Sequence, residues 1–292
     1  MFYDFTTTTY GKWILAGEHA VVRGHGALVF PIKKKQFSLT FNASSPSLTA
    51  ESTGSSGEDM SLLFWSVLEH GMQLLHTPLN KISGRFSLHN DIPVGVGMGA
   101  SAALCVALSR WFVAQKMVDD SRCTEFAREL EHLFHGKSSG LDIAGVAADE
   151  GIYFEKGCLY PLKSVIHPLW YLSSCEQIGI TANCIKQVND LWVKNREMAQ
   201  QIDDQMISAT QECKLALESG GDDAIVRLAH ALNKAAQCFY QWGLVSDLLD
   251  KHMNDLLRKG AIAVKPTGSG GGGFVLSLWN SRPPETAGLI EV

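Results

Sequence analysis

The chain is poor in features that mark several protein classes. No apolar stretch reaches the length that spans a bilayer, which argues against a membrane protein. There is no surplus of positive charge: 25 Lys and Arg stand against 30 Asp and Glu, a net charge of −5. That balance argues against a broad nucleic-acid surface. The lone basic run, Lys33–Lys35, reads as a solvated edge leading into a strand. The seven cysteines (105, 123, 158, 175, 184, 213 and 238) are odd in number, and no pair has C-x-x-C spacing. Several fall in apolar segments, where cysteine acts as a small hydrophobe. This predicts no disulfide framework, no structural zinc and a reducing, cytoplasmic setting. The first residues, MFYDFTTTTYGKW, lack the charged and apolar regions of a secretion signal. Internal repeats are absent, and so is the common phosphate motif G-x-x-x-x-G-K-[ST], because Glu131 stands where Gly136-Lys137-Ser138 would need its first glycine.

What is present is a globular composition, 46% hydrophobic and 19% charged over 292 residues, enough for one large or two ordinary domains. The most informative stretch is Asp91–Ala103, DIPVGVGMGASAA. Glycines alternate at 95, 97 and 99 and feed into a run of small and apolar residues that reads as a helix. A helix N-terminus has backbone N–H groups without intrahelical partners and a positive dipole end, which suits a phosphate. A tight turn without a ligand is the plainer reading of such a loop.

Around it, strands are expected at Gly26–Ile32, Gln36–Ala43, Ser47–Glu51 and Gly84–Asn90, and helices at Asp59–His76, Gly99–Met117, Ser121–His135 and Leu141–Ala148. A turn is expected at Gly136–Gly140 and a hairpin from Gly151–Glu155 and Cys158–Pro161. The second half reads as a strand at Leu169–Ser174, helices at Thr181–Ser219, Asp222–Trp242 (capped by Asp222) and Asp247–Lys259, then strands at Ala261–Val264 and Phe274–Leu278. Between the last two lies a second glycine cluster, Lys265–Gly273, KPTGSGGGG.

Four segments stand out in order: Gly11–Gly24 (GKWILAGEHAVVRG), the 91–103 loop, Glu131–Asp142 (EHLFHGKSSGLD) and Lys265–Gly273. Together they resemble the GHMP family of small-molecule kinases, named for galactose, homoserine, mevalonate and phosphomevalonate. Within it the likeness is to the members that phosphorylate mevalonate. The resemblance spans nearly the whole chain. It implies an α+β, two-domain GHMP kinase fold with the active site in the inter-domain cleft, divided as 1–168 and 169–292.

The resemblance also assigns roles. Lys12 and Asp142 are implied as the catalytic pair at the acceptor hydroxyl; judged alone, Lys12 reads as an exposed lysine at a strand start and Asp142 as a helix N-terminal charge. A fixed cation beside a carboxylate favours its charged form and stabilises charge as a phosphoryl group moves. ATP is implied on Pro93, Gly95, Gly97, Met98, Gly99, Ala100, Ser101 and Ala102. Ser101 and Glu131 are implied as magnesium ligands, an ion that takes oxygen donors and keeps waters; taken singly they read as a plain helix residue and a surface charge. Glu18, His19, Thr267, Gly268, Ser269 and Gly270 are implied at the substrate, His19 facing the acceptor.

The chain departs from the family pattern at Tyr10 (for proline), Ala100 (for a loop serine), Ile143 (for asparagine), Pro266 and Ser269. The implied reaction converts mevalonate to 5-phosphomevalonate with ATP, by a monomer or homodimer that acts on a small molecule. A phosphomevalonate or other small-alcohol kinase, and an inactive ATP-binding regulator, are the alternatives. Other patterns carry less. His132 and His135 run as E-H-x-x-H rather than H-E-x-x-H. Gly99–Ala103 lacks the last glycine of G-x-S-x-G, and the seven tryptophans do not cluster with basic residues.

Overall fold

The computed structural model describes residues 2–135, 138–177 and 179–292, so Gly136 and Lys137 of the expected 136–140 turn lie outside the described residues. The chain forms two compact units. One comprises Met1–Lys12 and Pro31–Asp149, the other Trp13–Phe30 and Glu150–Val292. Strands β1 (Phe5–Ala16) and β2 (Ala27–Asn42) each contribute residues to both.

In the first unit, β1 pairs with β2, and a hydroxyl ladder joins Thr6 to Thr40 and Thr8 to Ser38 at 3.3 and 3.0 Å. Strand β1 begins at Phe5, well before the strand start that Lys12 alone suggested, and its threonines favour the extension. The two strands expected over 26–43 are one, because Lys33–Lys35 stay extended. Then come β3 (Thr49–Thr53), helix α1 (Gly57–Leu74) and β4 (Arg85–Asn90). Strand β4 lies between β2, antiparallel with Phe41 opposite Phe86, and β3, parallel. Phe86 and Leu88 alternate inward on β4 as a one-sided strand requires. Helices α2 (Ala100–Ala114), α3 (Cys123–His135) and α4 (Leu141–Ala147) follow. Helix α2 is apolar on nearly all sides and therefore sits centrally, packed by α1, α3 and α4. Its Trp111 meets Phe41, Phe86 and Phe112 edge-on at 5.2, 5.0 and 4.9 Å.

In the second unit, β5 (Ile152–Glu155) pairs with Ala27–Val29 and with β6 (Cys158–Pro161). Strand β7 (Leu169–Ser174) precedes helices α5 (Thr181–Lys194), α6 (Arg196–Ser219), α7 (Ala224–Gln241) and α8 (Asp247–Arg258). Strands β8 (Ala263–Thr267), β9 (Phe274–Trp279) and β10 (Leu289–Glu291) complete an antiparallel sheet of order β10-β7-β9-β8. Tyr171, Leu249, Met253, Leu256, Val275 and Trp279 fill one core between sheet and helix α8.

The single helix expected over 181–219 is two. Asn195 leaves helical geometry (φ −148°, ψ 81°) and its side chain accepts from the Met198 N–H at 3.1 Å, a cap that starts a new helix. Asp222 does not cap α7. Asp223 occupies that place without a side-chain cap bond, and its carboxylate pairs with Arg227 at 3.1 Å instead. Strand β8 runs on to Thr267, so Lys265 and Thr267 belong to the sheet and the glycine loop begins at Gly268. Among the described residues no helix is long and apolar enough to cross a membrane.

Candidate active site

Strand β4 delivers the chain into the glycine loop, and the loop delivers it into α2. Gly95, Gly97 and Gly99 all have φ near +80° (79°, 81° and 81°), a left-handed geometry that disfavours side chains. At Gly99, the cap of α2, a Cβ would also stand 2.9 Å from both Lys12 Cγ and Val146 Cγ1. Glycine is thus required there twice, for its backbone sign and for the approach of Lys12. The first turn of α2 holds Ala100, Ser101 and Ala102, with no side-chain cap and no acidic residue. Their N–H groups are the orphan donors of a helix start. Gly95 and Gly97 are exposed, Pro93 and Ser101 half-buried, and Met98, Ala100 and Ala102 buried.

Lys12 is not the exposed lysine that its position alone suggests; it is 3% exposed. Its N–H donates to the Met98 carbonyl at 2.9 Å, which ties β1 to the loop. Its Nζ lies 2.7 Å from Asp142 Oδ1, and that carboxylate, in the first turn of α4, keeps 34% exposure. Glu131 on α3 is likewise no surface charge, at 1% exposure. Its Oε2 accepts from the Ser138 hydroxyl, while Oε1 is buried without a partner among the described residues. Burial, reinforced by the Asp142 carboxylate, lifts the Glu131 carboxyl from 4.5 to about 7, against the pull of Ser138, Lys12 and Arg128. Ser138 Oγ also accepts from the Gly140 N–H at 3.0 Å, fixing the turn before α4. Arg128 was not singled out in the sequence. It precedes Glu131 by three residues on one helix face, and its Nη2 donates to the Ser138 carbonyl at 3.4 Å. His132 is exposed on α3.

The second unit gathers a different set. Glu18 and Lys265 form an ion pair, 2% and 0% exposed. His19 Nε2 is 2.9 Å from the Ser269 carbonyl, and burial lowers its pKa to about 4. The Thr267 hydroxyl is fully engaged with the backbone, accepting from Ile14 N–H and donating to Ile14 O, both at 3.0 Å. Ser269 Oγ donates to Thr181 Oγ1 at 3.2 Å. After Gly268, the loop is held from within its own unit. The Gly270 carbonyl accepts from Cys184 Sγ at 3.3 Å, and the Gly271 and Gly273 N–H groups donate to Leu244 O and Gln177 O at 2.7 and 2.6 Å. Those two amides are therefore occupied. Lys265, Arg23 and Asp203, none of them read as functional from sequence, complete this set.

These features define a class. Residues 63–149 match the GHMP kinases N terminal domain, and the chain has the GHMP kinase fold: it is a phosphotransferase of the kinase type. Its relatives include the mevalonate kinase of Archaeoglobus fulgidus, 25% identical over 287 residues, with 96% of this chain and 94% of that protein covered. Among solved structures, L. major mevalonate kinase in complex with R-mevalonate matches with a TM-score of 0.79 at 21% identity, covering 95% of this chain and 87% of that one. Streptococcus pneumoniae phosphomevalonate kinase matches with a TM-score of 0.71 at 14% identity, covering 95% and 92%. The last two show a shared fold, and the fold by itself does not choose between acceptors.

Proposed function

We propose that this chain transfers the γ-phosphoryl group of ATP to the primary hydroxyl of mevalonate, giving ADP and 5-phosphomevalonate. The observation that carries the reading is the buried Lys12 whose ammonium sits on Asp142, 2.7 Å away, beside an uncapped helix start. Phosphoryl transfer requires little covalent help from a protein; positioning and charge neutralisation carry it. Asp142, the more exposed member of the pair, accepts the proton of the attacking hydroxyl. The hydroxyl oxygen bonds to the γ-phosphorus as the bond to the ADP oxygen breaks. Lys12 stabilises the charge that develops at the acceptor. The N–H groups of residues 100–102 and the 95–99 loop hold the phosphates.

The oxygen donors available suit magnesium. Glu131 offers a buried carboxylate oxygen without a hydrogen-bond partner among the described residues, and Ser101 a hydroxyl at the helix start. These two would hold the ion, which when bound neutralises charge on the β- and γ-phosphates. His19 and the 267–270 segment serve the acceptor in this reading, His19 by direct contact; the Glu18 carboxylate expected there is instead 2% exposed and bound to Lys265.

A coupled assay of ADP release against mevalonate, phosphomevalonate, galactose and homoserine tests the proposal. Turnover is expected with mevalonate and much less with the others. A clear preference for another acceptor, or no release of ADP with any, overturns it.

A further inference from the structure

His19 has φ 58° and ψ −45°, and the Ala20 N–H closes on the Glu18 carbonyl at 2.6 Å. This is a three-residue γ-turn of the rarer, strained hand, centred on a residue with a side chain. Such a conformation persists only where the surroundings over-determine it. Here two ion pairs flank the turn. On one side the Glu18 carboxylate is bound by Lys265, whose ammonium also donates to the Pro266 carbonyl at 2.6 Å and lies 5.0 Å over the Phe239 ring. Four residues past His19, Arg23 grips Asp203 with both arms at 2.5 and 2.6 Å and lies 5.0 Å over Trp192. Asp203 is 0% exposed. Phe239, under the Lys265 ammonium, also meets the His19 ring edge-on at 6.2 Å, and Trp242 meets it at 5.0 Å.

We propose that Lys265 is a positioning residue for His19: its buried pair with Glu18 locks the γ-turn and fixes which imidazole nitrogen is offered to the acceptor. The inference rests on the reading that His19 contacts the acceptor. A carbonyl can only accept, so the Ser269 contact assigns the ring proton to Nε2. Burial, with Arg23 and Lys265 nearby, keeps the ring uncharged at neutral pH. Nδ1 is then a bare acceptor. It takes a hydrogen bond from a hydroxyl and disfavours a carboxylate, so the hydroxyl-bearing part of the acceptor faces His19. The thiols near the pair, Cys213 and Cys238, add no charge, since burial pushes both up to about 12.

The test compares Lys265→Met, which removes the cation bound to Glu18, with the double variant Glu18→Gln/Lys265→Met, which removes both charges and is expected to fold. In the folded double variant the His19 ring, followed by NMR titration of its nitrogens, is expected to move from about 4 toward 6.5 as the turn relaxes. The KM for mevalonate is expected to rise about tenfold while the KM for ATP and kcat stay within about twofold, a split that a general loss of structure does not give. A His19 titration left at about 4, a mevalonate KM unchanged, both KM values rising together, or a double variant that fails to fold each overturns the proposal. Should the wild-type protein turn over no acceptor, the functional reading fails, and the NMR titration alone decides the positioning role.

Discussion

Two lysine–carboxylate pairs, one in each unit, make a controlled comparison. Lys265–Glu18 is sealed, with neither side chain above 2% exposed. Lys12–Asp142 is lopsided, with its ammonium buried and its carboxylate 34% exposed. The sealed pair spends its interactions inside the protein: Lys265 donates to Glu18 and Pro266 and rests on Phe239. The lopsided pair leaves carboxylate surface accessible, beside a glutamate with a buried oxygen that has no partner among the described residues and a helix start without a side-chain cap. Chemistry needs groups with capacity to spare, whereas conformational control needs groups with none.

The sharpest break in this comparison comes from Asp142→Asn. Turnover is expected to fall by about 10²–10⁴-fold, the range for a lost proton acceptor and misplaced charge. The KM for ATP should hardly move, and steady-state kinetics read both. Near-normal turnover would remove Asp142 from the reacting centre. Lys265→Met should act oppositely, on stability first. It leaves a buried carboxylate without its cation, at a cost of about 3–5 kcal/mol in urea unfolding. Asp142→Asn should destabilise less, since an amide oxygen still reaches Lys12 and solvent has access; the reverse ranking would undo the distinction.

Gly99→Ala is expected to cost about 1–2 kcal/mol through its left-handed φ, with further loss of activity from pressure on Lys12 Cγ. Ala substitution at Gly95, where a Cβ meets nothing within 4 Å, should carry the backbone cost alone. A further effect is one of pH. Glu131 has its folded pKa raised to about 7 from 4.5. Its contribution to stability is therefore full below 4.5 and is lost as pH rises through 7. Denaturant unfolding of wild type and Glu131→Gln in the absence of magnesium should show the wild type losing its relative advantage across that window.

The candidate site was legible in the sequence where short segments carry the pattern. The 91–103 stretch announced a loop entering a helix, and the structure places α2 at Ala100 with three left-handed glycines before it. The helices α1, α3 and α8 follow apolar periodicities that do not depend on distant partners. What local pattern hides is burial and pairing. Nothing near Glu131 or Lys12 says that each lies inside, because their neighbours in space come from other elements. Glu18 and Lys265 are 247 residues apart, Arg23 and Asp203 180. The break at Asn195 was missed for a related reason: apolar periodicity continues on either side, and one amide oxygen on the Met198 N–H decides it. The expected linear division at 168/169 treats the chain as two consecutive pieces. The compact units instead place Trp13–Phe30 with Glu150–Val292, in keeping with the bonds that Ile14 and Glu18 make to Thr267 and Lys265.

At Gly95 and Gly97 the loop offers no side chain at all, and at Met98 and Ala100 the side chains are buried. A cradle of this kind reads an anion through peptide amides. Amides sense a phosphate's shape and charge but know nothing of the base or sugar attached further along. If a nucleoside triphosphate lies there, adenosine and guanosine tails would be gripped alike, and discrimination between them has to be written elsewhere in the polypeptide.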